Sequence, residues 1–253
     1  MQHHLRPRRL LLGLALSLAV TGAAACGDDD DEAGADTTDQ LGGEAAVPAE
    51  ACDAYVGLSG AMAGDPSAAG DVIDAFVGSA PDGLSQDAAT MAATYGAMAE
   101  GGDPAAFSEP EFVAASAAVA DAYFAGCDTA TELDVSGIDY GFEGIPAEID
   151  AGRVAIRFTN DTEHDEPHEM VLFRRNDGVD DPIEDLLALP EDEVMSKVSM
   201  AGVVFADAPG SEAAAMLDLE PGSYVAICFI PTGGAEDGPP HFVGGMVAEF
   251  DAA

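Results

Sequence analysis

Basic residues are scarce in this chain. Lysine and arginine number 8 against 48 aspartates and glutamates in 253 residues, a formal net charge of −40. Phosphate backbones are gripped by clustered lysine and arginine, so this deficit excludes nucleic acid as a partner class. Tryptophan is absent and aromatics make up 6%, so any core is lean, built from alanine, valine, leucine and a few phenylalanines. No Ser/His/Asp arrangement, glycine-rich phosphate loop or paired-acid motif occurs, which leaves hydrolase and nucleotide-binding readings without support. Long apolar runs are missing too: Leu10 to Val20 is too short for a comfortable membrane span, and no other stretch comes closer. What remains is long enough for one or two domains with a real core.

The few bases are unevenly placed. Arg6, Arg8 and Arg9 precede the apolar run, and no lysine or arginine lies between Cys26 and Arg153. A basic n-region, an apolar segment and the small residues Thr21-Gly22-Ala23-Ala24-Ala25 ahead of Cys26 make residues 1–26 an export signal. They resemble a bacterial lipobox, with Ala23 where leucine is usual. The resemblance implies cleavage before Cys26, lipidation of Cys26 and an extracytoplasmic, membrane-anchored protein. Ordinary secretion with a free Cys26 is the alternative. Residues 27–48 open with Gly27-Asp28-Asp29-Asp30-Asp31-Glu32 and form an acidic linker that cannot bury a core. The spacing of a calcium loop is absent there. Acidity of this kind keeps a chain soluble without defining a fold; an acidic face for a cationic partner is the functional alternative.

Four cysteines divide by parity. With Cys26 assigned to lipid, Cys52 and Cys127 are natural disulfide partners in an oxidising compartment. Closing their separation of 75 positions stabilises a fold by about 4 kcal/mol in the chain-entropy view. Cys228 is left unpaired, and metal ligation is a leading reason for such a thiol in an exported protein. Residues 49–130 read as a small bundle of three or four helices. Val72, Ile73, Phe76 and Val77 share one face, as do Met91, Tyr95 and Met98, and Phe112 to Phe124 form a last amphipathic run. Breaks fall at Gly64-Asp65-Pro66, Pro81-Asp82-Gly83 and Gly101-Gly102-Asp103-Pro104, with Asp65 and Asp103 placed as N-caps before proline. The methionines here read as core residues.

From residue 131 the period changes to two. Leu133–Tyr140, Arg153–Phe158, Met170–Phe173, Tyr224–Phe229 and Met246–Phe250 are short strand-like runs, and Glu220-Pro221-Gly222-Ser223 is a turn. Such strands argue for a β-sandwich. Residues 182–197 read as helical and lie outside the sheets.

Within this half, Asn160 opens a turn that leads to Pro167-His168. Pro221-Gly222-Ser223-Tyr224 precedes a strand ending in Cys228, and His241 is followed at a short interval by Met246. In this order the pieces resemble the cupredoxins, the plastocyanin-like blue-copper proteins, over residues 131–253. The resemblance implies a Greek-key β-sandwich and one mononuclear type 1-like copper. His168 and His241 would be the nitrogen ligands, Cys228 the thiolate and Met246 the weak axial ligand. Soft sulfur suits Cu(I) and imidazole suits Cu(II), so such a set holds copper in both oxidation states. Twelve residues separate Cys228 from His241, a longer loop than blue-copper proteins generally use. His164 reads as solvent-exposed, with an auxiliary metal contact as the alternative. Asp165 and Glu169 read as solvated; the alternative is a carboxylate that replaces Met246 as an additional ligand. The implied function is single-electron transfer with a redox or envelope protein partner. Copper storage or delivery, and a copper-free interaction module, are the alternatives. One such domain offers no second copper cluster, which argues against an oxidase.

Overall fold

Among the described residues four α-helices come first: α1 (Ala49–Ala61), α2 (Ala69–Ser79), α3 (Ser85–Ala99) and α4 (Pro110–Gly126). The computed structural model describes residues 47–61, 69–234 and 238–253. The export signal, Cys26, the acidic linker up to residue 46 and the break at Gly64-Asp65-Pro66 lie outside the described residues. No helix among the described residues is long and apolar enough to cross a membrane.

The helices bury the expected apolar stripes. The rings of Tyr55, Phe76 and Tyr123 pack together, and Tyr95, Phe107 and Phe112 form a second aromatic cluster. Met91 is buried among them. Val77, expected on the same face as Phe76, and Val113, next to Phe112, stay exposed, whereas the adjacent Tyr123 and Phe124 are both buried. A disulfide joins Cys52 in α1 to Cys127 just past α4, with a Cα separation of 5.8 Å. The Asp103 carboxylate accepts the Ala105 N–H at 3.0 Å, but it caps a 3-10 turn over Pro104–Ser108. The following helix α4 starts instead at Pro110 behind Glu109, with no side-chain cap.

Among the described residues nine strands follow: β1 (Thr131–Ile138), β2 (Gly141–Glu143), β3 (Glu148–Ile149), β4 (Gly152–Asn160), β5 (His168–Arg175), β6 (Val198–Ala206), β7 (Glu212–Leu219), β8 (Gly222–Ile227) and β9 (Val247–Ala252). One sheet runs β2-β1-β4-β7 and the other β3-β9-β8-β5-β6. The chain crosses between sheets after β2, β3, β4, β6 and β7, which makes a Greek-key sandwich. Alternation explains its layers. In β4, Val154, Ile156 and Phe158 face the sandwich core, while Ala155 faces the other way. In β7, Ala215, Leu217 and Leu219 point inward and Met216 points out.

That outward face is where the helices dock. Ala155 and Met216 belong to the same buried cluster as Tyr55, Phe76 and Tyr123. The Met216 N–H donates to the Ser59 hydroxyl at 3.2 Å. Arg153 reaches Asp53 at 2.6 Å, and Arg157 reaches Asp121 at 2.9 Å while lying over the Phe124 ring. The helical segment thus completes its core against the outer face of the first sheet, in a cluster separate from the one between the two sheets. Two short helices, α5 (Ile183–Leu187) and α6 (Glu191–Met195), follow β5. Ile183 and Leu187 pack against Val171, Phe173, Val225 and Ile227 on the outer side of the second sheet.

Candidate metal centre

Antiparallel register brings distant residues to one end of the second sheet. Val171 of β5 pairs with Ile227 of β8, and Ile227 pairs with Val247 of β9. The start of β5, the end of β8 and the start of β9 therefore lie together. His168 begins β5, Cys228 directly follows β8, and Met246 directly precedes β9. His168, Cys228, His241 and Met246 are each 0% exposed. The Nδ1 atoms of His168 and His241 are 3.1 Å apart, and the Cys228 Sγ is 3.5 Å from His241 Nδ1. One donor atom from each of the three residues falls within 4.8 Å of the others.

The two short distances, 3.1 and 3.5 Å, fit a shared ion. Metal–nitrogen bonds of about 2.0 Å and a metal–sulfur bond of about 2.3 Å place nitrogens about 3–3.5 Å apart and sulfur about 3.5–3.8 Å from nitrogen. The donor set is two imidazoles and one thiol, a soft combination that suits copper or zinc and not calcium or magnesium. Met246 is tied to the group through the backbone: the Cys228 N–H donates to the Met246 carbonyl, and the Met246 N–H to the His241 carbonyl, both at 3.2 Å. Two glycines make room around it. A Cβ on Gly137 would sit 2.9 Å from the Phe158 ring and 3.2 Å from Met246 Cε. Gly245 adopts φ 115°, a left-handed conformation that turns the chain into Met246.

Burial sets the electrostatics. Desolvation, joined by the neighbouring His241, lowers the His168 pKa to about 4. Desolvation also lowers that of His241, against the pull of the Glu166 carboxylate. Both imidazoles are thus neutral donors at physiological pH. Burial raises the Cys228 thiol to about 11, opposed by the backbone N–H groups of Glu169 and Ile230. A cation that binds here must displace that proton.

The long loop between Cys228 and His241 closes at its base. Pro231 and Pro240 form a bridge, the His241 N–H donates to the Ile230 carbonyl at 2.9 Å, and the Thr232 N–H to the Pro239 carbonyl at 3.0 Å. The intervening residues leave and return through one paired neck. The loop's length therefore does not separate the histidine from the cysteine.

Three further residues shape the site. Asn160 is fully buried. Its Nδ2 donates to the Glu166 carbonyl at 2.8 Å and to that of Ala206 at 3.4 Å, while its Oδ1 accepts the Thr162 N–H at 3.3 Å. It pins the turn that presents His168. Glu169, expected to be solvated, instead accepts the Phe229 N–H at 3.1 Å, and burial raises its pKa. Its side chain fastens the residue after Cys228 and is not among the converging donors. Glu166 escaped the sequence reading altogether. Its Oε2 lies 3.1 Å from His241 Nε2, and its Oε1 accepts the Gly233 N–H. The only signal for it was its position two residues before His168. His164 is largely exposed, 3.9 Å from Asp139, and stands outside the cluster.

No protein-family model and no curated protein matches the chain. Among solved structures it is similar to auracyanin B, at 18% identity over 50% of this chain and 91% of that one, with a TM-score of 0.34. It is also similar to dithionite-reduced auracyanin from the photosynthetic bacterium Roseiflexus castenholzii, at 16% identity over 50% and 99%, TM-score 0.33. A third is auracyanin A, a "blue" copper protein of Chloroflexus aurantiacus, at 17% identity over 48% and 98%, TM-score 0.28.

Proposed function

We propose that this protein binds one copper ion through His168, Cys228 and His241, with Met246 as axial ligand, and carries single electrons at an extracytoplasmic membrane surface. The observation that carries this reading is the gathering of two buried imidazole nitrogens and one buried thiol within 4.8 Å of one another. Bound copper would supply a one-electron couple between Cu(II) and Cu(I). The chain's part is to hold the donors fixed. Asn160 pins the His168 turn, the Pro231–Pro240 neck pins His241, and Glu169 fastens the backbone after Cys228. A rigid donor set needs little rearrangement between oxidation states, and burial keeps water from adding as a ligand. Phe229, next to Cys228 in the chain, and Val243, two residues beyond His241, are 40% and 64% exposed. They give a redox partner an apolar surface beside two of the ligands.

The test is titration of the purified protein with Cu(II), followed by optical spectroscopy. One equivalent taken up with an intense band toward the red end of the visible supports the reading, provided that Cys228→Ala abolishes the band. Tight Cu(I) uptake without colour would point to storage or delivery, and no stoichiometric uptake would leave a metal-free module. Anchoring is tested separately: Cys26→Ser should move the protein out of the membrane fraction, and unchanged fractionation contradicts lipidation.

A further inference from the structure

His241 has two ring nitrogens with different surroundings. Nδ1 faces His168 Nδ1 and Cys228 Sγ. Nε2, on the far side of the ring, is sealed from solvent, and the Glu166 carboxylate lies 3.1 Å from it. That contact is oblique, close enough for an ion pair but off the axis of a linear hydrogen bond. His168 has no such neighbour: its Nε2 is buried with no partner among the described residues. Glu166 is itself held at two points and largely buried. Asn160 grips its carbonyl, the Gly233 N–H grips Oε1, and the side chain is only 12% exposed. Gly233 belongs to the long excursion between Cys228 and His241.

We infer that Glu166 is a positioning residue for the metal centre, a carboxylate that fixes the His241 tautomer and biases the site toward the more highly charged metal state. A carboxylate beside Nε2 favours the proton there and leaves the lone pair on Nδ1, where the other donors converge. It also makes the imidazole a stronger donor. In a site closed to water, its negative charge is weakly screened and stabilises Cu(II) over Cu(I). The excursion then has a structural use: it delivers the Gly233 N–H that aims Glu166.

The second half of this inference rests on the copper reading and the first does not, so they are tested separately. In metal-free protein, ¹⁵N NMR of the histidine rings should place the His241 proton on Nε2. Glu166→Gln should move a measurable population to Nδ1. A wild-type proton on Nδ1 overturns the tautomer assignment whatever metal binds. In copper-loaded protein, Glu166→Gln and Glu166→Ala should raise the preference for Cu(I) over Cu(II) at least tenfold, an upward shift of about 59 mV for a one-electron couple. Glu163→Gln, which removes an exposed charge from the same turn, should shift it much less. Wild-type potentials in both Glu166 variants, with the optical band intact, would overturn the role even if their melting temperatures fall. Absence of a copper band in the wild type would instead refute the proposed function and leave the tautomer result standing.

Discussion

Replacing both Cys52 and Cys127 by alanine tests whether helices and sandwich unfold as one. The disulfide closes a separation of 75 positions. In the chain-entropy model such a link stabilises the fold by about 4 kcal/mol at 25 °C. How that loss is distributed depends on coupling. Ala155 and Met216 of the sheet lie in the helical core, Ser59 accepts the Met216 N–H, and two arginines of β4 reach acids on α1 and α4. If these contacts make one cooperative unit, the whole of it loses the same free energy. For about 200 residues the unfolding entropy near 60 °C is about 420 cal/mol/K, so the midpoint should drop by about 10 °C. Hydrogen exchange read by mass spectrometry should show equal losses of protection in peptides from α4 and from β8. Loss confined to α1–α4, with β8 unchanged, would refute the coupling of helices and sandwich through the first sheet. A total loss below about 1 kcal/mol would refute the entropic one.

Asn160→Ala removes three buried hydrogen bonds, each worth about 1 kcal/mol net, so stability to urea should fall by about 2–3 kcal/mol; an unchanged midpoint contradicts its pinning role. Met246→Leu should keep copper and colour but raise the reduction potential, and an unaltered potential would rule out Met246 as a ligand. A Gly-Ser insertion between Gly234 and Ala235 should cost only about 0.2 kcal/mol and leave metal uptake intact, because the loop closes at its base. The same dipeptide between Ile230 and Pro231 should abolish uptake, and identical behaviour of the two insertions would refute closure at the neck.

Much of this architecture is legible in the sequence because it depends on local pattern. β4 alternates cleanly, and the helical stripes and their breaks are marked by proline, glycine and aromatics. The metal donors are legible by order, since turn and strand residues bracket each of them. β6 and β7 are harder to read. The run Glu212-Ala213-Ala214-Ala215-Met216-Leu217 has the composition of a helix, and only pairing with β4 makes it a strand. The docking of helices on the sheet is illegible for a related reason. Ala155 and Met216 are unremarkable apolar residues of alternating runs, and nothing local says that both faces of β4 are covered. Glu166 and Glu169 look like members of an acidic turn. Their roles come from contacts with Gly233, His241 and Phe229, 60 to 75 positions away, which no local pattern encodes.

An acidic chain with a neutral donor site separates two kinds of attraction for cations. At −40 the surface draws any cation nearby, and the screening of salt makes that attraction weak and unselective. Every lysine and arginine among the described residues contacts an acid: Arg153 with Asp53, Arg157 with Asp121, Arg174 with Asp177, Arg175 with Glu249 and Lys197 with Asp181. The bases serve the packing of elements and leave the acids in large excess. The donor site works the other way. Burial strips charge from its imidazoles and keeps its thiol protonated, so a hard divalent ion finds few oxygen ligands and must still displace a proton. A thiophilic ion recovers that cost in its sulfur and nitrogen bonds. Selectivity therefore resides in the desolvated ends of β5 and β8, and the acidic exterior contributes local concentration without choosing the metal.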